Sequence, residues 1–118
     1  MHILVAEDEK KLAALLRRAL VEVRHTIDLA HDGPAGLDLA LSDTYDLIIL
    51  DLMLPGLDGI ELCRQVRAQR IATPILMLTT ESSAEKKQEG KAAGATAWIV
   101  KPFDPPKLLQ AVDRLFLK

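Results

Sequence analysis

Short, wholly apolar runs alternate along this chain with stretches of helical period, and that alternation restricts the fold more than any other feature. The runs are Ile3-Leu4-Val5-Ala6, Leu47-Ile48-Ile49-Leu50, Ile75-Leu76-Met77-Leu78 and Trp98-Ile99-Val100. None shows the every-second-residue polarity of a strand with one wet face, so each must be covered on both sides, as in a parallel sheet between helices. Thr26 to Ala30 reads as a further, shorter strand. Between the runs, Leu12, Leu15, Leu16, Ala19, Leu20 and Val23 mark a first helix after Asp8. Asp32-Gly33-Pro34 opens a second through Leu37, Ala40 and Leu41. The loop Pro55-Gly56-Leu57-Asp58-Gly59 leads into a third carrying Ile60, Cys63 and Val66. The pattern predicts an α/β fold of βα units around a parallel sheet.

The last helix is expected to begin with Asp104 as N-cap and Pro105 and Pro106 in its first turn, burying Leu108, Leu109, Val112, Leu115 and Phe116. The segment from Glu81 to Ala93 is different: helical by residue type, it has no large apolar residue and carries Gly90 inside. Such a helix gains little from packing. It reads either as a solvated surface helix or as a mobile element, and its place directly after Thr79 favours the second.

With 118 residues and 49% apolar content, the chain can build one core. The expectation is a single domain, residues 1–118, with no output domain. No run approaches a membrane span, and Met1-His2-Ile3 does not open a signal peptide, so a cytoplasmic protein is expected. A lone cysteine, Cys63, excludes an internal disulfide. The net charge of −2 and 3% aromatic content supply neither a basic footprint nor a stacking platform for nucleic acid.

The polar residues that close the apolar runs carry the chemistry. Glu7 and Asp8 follow the first run, Asp51 the second, Thr79 the third and Lys101 the last. In a parallel sheet, ligands bind beyond the C-terminal strand ends. If the strands of the first and second of these runs are neighbours, Glu7, Asp8 and Asp51 converge. Crowded carboxylates then need a proton or a cation among them. An all-oxygen site with open positions suits Mg²⁺, which tolerates waters and a phosphate oxygen. Lys101 is a point charge fitted to a phosphoryl oxygen or to a carboxylate. Thr79 offers a hydroxyl, with Thr80 as an equal competitor on spacing alone. Trp98 reads as core filling, Cys63 as packing, and His2, His25 and His31 show no ligand spacing.

Four segments, Val5-Ala6-Glu7-Asp8, Leu50-Asp51-Leu52-Met53-Leu54-Pro55-Gly56, Leu78-Thr79-Thr80 and Val100-Lys101-Pro102-Phe103, give the chain a resemblance over nearly its full length. It resembles the receiver domains of two-component response regulators. Residues 46–59 look like receivers attached to winged-helix transcription regulators, and residues 79–103 like free-standing chemotaxis receivers. The resemblance implies a flavodoxin-like (βα)5 fold with strand order 2-1-3-4-5. It also implies Asp51 as phosphoacceptor from a sensor histidine kinase, a phosphotransfer protein or a small donor such as acetyl phosphate. Mg²⁺ would be bound by Asp8, Asp51 and the backbone carbonyl of Met53, with Glu7 acting through water. Lys101 would hold the phosphoryl group, Thr79 rather than Thr80 would turn toward it, and Trp98 would occupy the switch-aromatic position. The side chains of Met53 and Glu81 would tune phosphoryl lifetime. The implied output is a changed surface around strand 4, helix 4, strand 5 and helix 5 that controls a downstream protein, without direct nucleic-acid or membrane contact.

Other readings remain open at this point. A receiver belonging to a DNA-binding regulator would dimerise on phosphorylation, whereas a free-standing one would stay monomeric. An engineered or chimeric scaffold would have no natural partner. A haloacid-dehalogenase-type phosphatase needs a second Asp two residues after its nucleophile, where this chain has Met53; a non-enzymatic role is therefore expected. A flavin carrier needs a Ser/Thr/Gly-rich loop where this chain has Glu7-Asp8-Glu9-Lys10.

Overall fold

In the computed structural model, which describes residues 1–80 and 84–116, five strands and five helices alternate along the chain. They are β1 (His2–Ala6), α1 (Lys10–Glu22), β2 (Thr26–Ala30), α2 (Gly33–Ser42), β3 (Leu47–Asp51), α3 (Gly59–Ala68), β4 (Ile75–Thr79), α4 (Ala84–Ala93), β5 (Ala97–Val100) and α5 (Pro105–Phe116). The strands form one parallel sheet in the order β2-β1-β3-β4-β5. Both the fold class and the strand order agree with expectation.

Strand alternation divides the core in two. Leu4, Ile48, Leu50, Ile75 and Met77 face α2, α3 and α4. Ile3, Val5, Leu47, Ile49, Leu76, Leu78 and Ile99 face α1 and α5. β3 and β4 are buried at every position, which is why their sequences are unbroken apolar runs. Each fully buried Leu or Ile contributes roughly 1.5–3 kcal/mol, so these two strands anchor the sheet.

Side-chain caps fix the helix starts. Asp32 accepts from the Ala35 N–H at 2.7 Å, Asp58 from the Glu61 N–H at 2.9 Å, and Asp104 from the Lys107 N–H at 2.9 Å. Burial was overread along the last helix. Of the five residues expected there, Leu108 and Val112 are buried, Leu109 and Leu115 are half-buried, and Phe116 is 40% exposed. Phe116 is the last residue of α5 and does not have sheet on all sides.

Helix α4 buries only Gly90 and Ala93. Gly90 was expected only to weaken the helix, but it has a packing role: a Cβ added there would lie 2.3 Å from the Trp98 ring. Arg67 of α3 closes the far end of α4, donating through Nε and Nη2 to the Gly94 carbonyl at 3.1 and 2.9 Å.

Candidate functional site

The sheet register explains why these residue types stand at these strand ends. Ala6 pairs with Leu50, so Glu7, the next residue, is level with Asp51. Asp51 pairs with Leu78, which puts Thr79 one step further out. Thr79 pairs with Val100, so Lys101 begins two steps beyond Asp51. Only a long side chain reaches back over that distance. Alternation also sorts the faces: Glu7, Asp51 and Lys101 continue the side of α1 and α5, while Thr79 continues the side of Met77 and Trp98.

Lys101 Nζ donates to Glu7 Oε1 at 2.7 Å and to Asp51 Oδ2 at 2.8 Å. The second oxygen of each carboxylate accepts a backbone N–H: Glu9 to Glu7 Oε2 at 3.0 Å, and Met53 to Asp51 Oδ1 at 3.0 Å. Glu7, Asp51 and Thr79 are buried, at 0%, 4% and 1% exposure, whereas Asp8 is exposed. Burial pushes the Glu7 carboxyl up to about 7, against the opposing pull of Lys101. For Lys101, burial works to lower the pKa, but the bonds to Asp51 and Glu7 outweigh it and the ammonium is held more firmly charged than usual.

Glu7, Asp8 and Asp51 can each bring a carboxylate oxygen within 4.8 Å of the others. This donor set is all oxygen and partly open to solvent through Asp8, and it fits a hard divalent cation such as Mg²⁺ rather than a sulfur- or imidazole-seeking metal.

Backbone bonds that continue the sheet hold the surrounding loops. The Leu52 N–H donates to the Leu78 carbonyl at 2.8 Å, the Gly59 N–H to the Leu52 carbonyl at 2.8 Å, and the Lys101 N–H to the Thr79 carbonyl at 2.7 Å. Gly59 is packed so closely that an added Cβ would come 2.4 Å from the Asp51 carbonyl oxygen. The Lys101–Pro102 peptide is cis.

The structure thus brings Glu7, Asp8, Asp51 and Lys101 together, and places Thr79 in the strand beside Asp51. It separates the two threonines, since Thr79 is buried and Thr80 exposed on the rim of a 450 Å³ cavity it shares with Lys101 and Phe103. Met53 is 69% exposed as a side chain while its N–H holds Asp51. Trp98 is half-buried against the α4 side of the core. Glu81 lies outside the described residues. Cys63 is buried, its thiol donating to the Ala93 carbonyl, and burial raises its pKa, as inert packing requires.

Sequence reasoning passed over two features. Glu7 is the partner of Lys101 as much as Asp51 is, a pairing across 94 positions with no local signal. His2, assigned nothing, stands at the opposite end of the sheet with Nε2 2.8 Å from Asp28 Oδ2 and Nδ1 3.1 Å from the Thr44 carbonyl. Both partners are acceptors, so a doubly protonated ring satisfies both contacts, and His2 titrates above its ordinary value through Asp28.

Comparison with known proteins gives a consistent answer. The family model described as the response regulator receiver domain matches residues 3–113. Response regulator ArlR of Staphylococcus epidermidis is 48% identical over 111 residues, 94% of this chain and 50% of that protein. The Staphylococcus aureus protein of the same name is 47% identical over the same length. The chain therefore spans about half the length of these curated relatives. Among solved structures, the chemotaxis response regulator CheY4 of Vibrio cholerae superposes with a TM-score of 0.93 at 41% identity, covering 98% of both chains. The receiver domain of the Francisella response regulator 1452 gives 0.91 at 37%, covering 97% of this chain and 94% of that one.

Proposed function

The chain belongs to the response regulator receiver domain family, and on that footing we propose that it is a phosphorylation switch whose acceptor is Asp51. The observation that carries the reading is the joint hold of Lys101 on Glu7 and Asp51 at the strand ends. A carboxylate oxygen of Asp51 attacks the phosphorus of the donor. An O–P bond forms as the bond from phosphorus to the donor's nitrogen or oxygen breaks, and the electron pair leaves with the phosphohistidine imidazole or with acetate.

Before transfer, Lys101 orients Asp51 Oδ2 and the Met53 N–H orients Oδ1. After transfer the phosphoryl oxygens take the place of the carboxylate as partners for Lys101, and Thr79 supplies a hydroxyl from the α4 side of the sheet. Asp8, Asp51 and the Met53 carbonyl would hold Mg²⁺, with Glu7 acting through water; when bound, the ion supplies charge neutralisation and orientation for the phosphoryl oxygens. Met53 and Glu81 would set how easily water reaches the aspartyl phosphate.

Residues 1–118 act as one receiver unit. The partners are a sensor histidine kinase or phosphotransfer protein upstream and a protein target downstream, reached through the α4–β5–α5 surface. No turnover of an external substrate is expected. Among the described residues no helix is long and apolar enough to cross a membrane, which supports a cytoplasmic role without membrane contact.

Incubation with acetyl phosphate should add one phosphoryl group while Mg²⁺ is present and none after chelation; gain in the presence of excess chelator would refute the metal assignment. The length of the curated relatives favours one second reading: the chain is the receiver of a longer regulator and pairs on phosphorylation. Sedimentation of the phosphorylated protein over a concentration series separates a dimer from the monomer.

A further inference from the structure

A second group of metal-seeking side chains stands away from the acceptor carboxylates, toward the other end of the sheet. His2 opens β1, Asp28 lies on β2, and Asp43 follows α2 directly. The register pairs His2 with Thr26 and Leu4 with Asp28, so His2 and Asp28 project from the same face. His2, Asp28 and Asp43 can each bring one ligand atom within 4.8 Å of the others. Asp46 adds a further carboxylate nearby, accepting the His2 backbone N–H at 2.8 Å.

The imidazole is already aimed. Its Nδ1 lies 3.1 Å from the Thr44 carbonyl, its Nε2 lies 2.8 Å from Asp28 Oδ2, and the ring rests against Tyr45 with centroids 4.4 Å apart. A metal-binding histidine characteristically gives its other ring N–H to a carbonyl or carboxylate, which fixes the tautomer and turns the remaining nitrogen to the ion. Asp28 is supported in the same way, because the buried Tyr45 hydroxyl donates to its Oδ2 at 2.8 Å. The His2 and Asp28 side chains are 29% and 38% exposed and Asp43 is exposed, so water can complete the coordination.

We propose that His2, Asp28 and Asp43 form a second metal site, for a borderline divalent ion such as Zn²⁺ or Co²⁺, with Tyr45 and the Thr44 carbonyl as positioning groups. The site does not depend on the function proposed above. Its imidazole separates it from the all-oxygen set of Glu7, Asp8 and Asp51: a nitrogen donor suits zinc-class ions, whereas oxygen alone suits Mg²⁺. The ion takes the place of the proton between Nε2 and Asp28 Oδ2, that proton goes to solvent, and the Nδ1–H bond to Thr44 stays. Bonds of about 2 Å to both atoms need them about 3.3 Å apart, so a shift of about half an ångström opens the site. Once bound, the ion ties β1, β2 and the turn after α2 together.

Calorimetric titration of the protein with Zn²⁺, in excess Mg²⁺, tests the site. Zn²⁺ should bind saturably where Mg²⁺ does not compete, and should raise the melting temperature read by circular dichroism. Loss of a ligand in His2→Gln should weaken binding at least tenfold, about the least that losing even a supporting group costs. Asp43→Asn, a change at an exposed side chain, should do the same with the fold intact. Tyr45→Phe should weaken binding about tenfold by loosening Asp28. Asp8→Asn should leave this affinity unchanged. Co²⁺ should shift the ring protons of His2 in proton NMR more than those of His25 or His31. No saturable binding, equal affinity in the wild type, His2→Gln and Asp43→Asn, or loss of binding in Asp8→Asn would each overturn the proposal. So would a Co²⁺ shift that is largest at another histidine.

Discussion

The Lys101 ammonium lies 2.8 Å from Asp51 Oδ2, across a sequence separation of 50 residues and an intervening strand. The same nitrogen holds Glu7 at 2.7 Å, so one cation balances two buried carboxylates with Asp8 close by.

Lys101→Ala should therefore make stability depend more steeply on Mg²⁺. Breaking a buried pair costs roughly 3–5 kcal/mol. Lys101 retains some exposure and Glu7 can take up a proton, so a loss of about 2 kcal/mol is expected here. A divalent cation then restores the missing charge. The rise in melting temperature on adding millimolar Mg²⁺ should be larger for the variant than for the wild type. Equal rises would mean that the ammonium and the metal site do not share the same carboxylates.

Gly59→Ala should destabilise by about 3 kcal/mol although Ala is the better helix former. The added Cβ meets backbone, 2.4 Å from the Asp51 carbonyl oxygen and 2.9 Å from Leu52 Cα, and neither can swing aside. Urea titration tests this, and a neutral or stabilising result would show that the β3–α3 junction has room to relax.

Most of this arrangement was legible because buried parallel strands leave an unmistakable mark. Leu47 to Leu50 and Ile75 to Leu78 are apolar throughout, so the polar residue after each run had to stand at the sheet rim. What the sequence could not supply was contact between distant positions. Nothing near Lys101 distinguishes Glu7 from Asp51 as its partner, and nothing near Gly90 shows that Trp98 fills the space its missing side chain leaves. Periodicity also overstates burial at a helix end, as Phe116 shows, because it cannot tell where the sheet stops. Residue type separated Thr79 from Thr80 no better; strand register did, by burying one and exposing the other.

Stability should peak between the titrations of Asp28 and His2. The bond to Asp28 and that to Thr44 raise His2 above 6.5, so its contribution is complete below 6.5 and is lost as pH rises through the raised value. Tyr45 and His2 lower Asp28 below 3.8, so its contribution is present above 3.8 and is lost as pH falls through the lowered value. His2→Gln should thus reduce the melting temperature more at about pH 5 than at about pH 9. A pH-independent difference would contradict the ion pair. In the wild type, proton NMR should find His2 titrating above 6.5 and His25, lowered by burial and the N-terminal amine, below it.

Met53→Asn should shorten the life of the aspartyl phosphate. An apolar side chain beside the acceptor disfavours an ordered attacking water, whereas an amide can hold one. Because Met53 is 69% exposed, the effect should be modest, about threefold in the rate of phosphate release. A faster wild type would reverse the assignment.

The central claim is that Asp51 itself takes the phosphoryl group. Intact mass after incubation with Mg²⁺ and acetyl phosphate, wild type beside Asp51→Asn, tests it most directly. The account predicts one phosphoryl gain in the wild type and none in the variant; an equal gain in both proteins would place the acceptor elsewhere and contradict it.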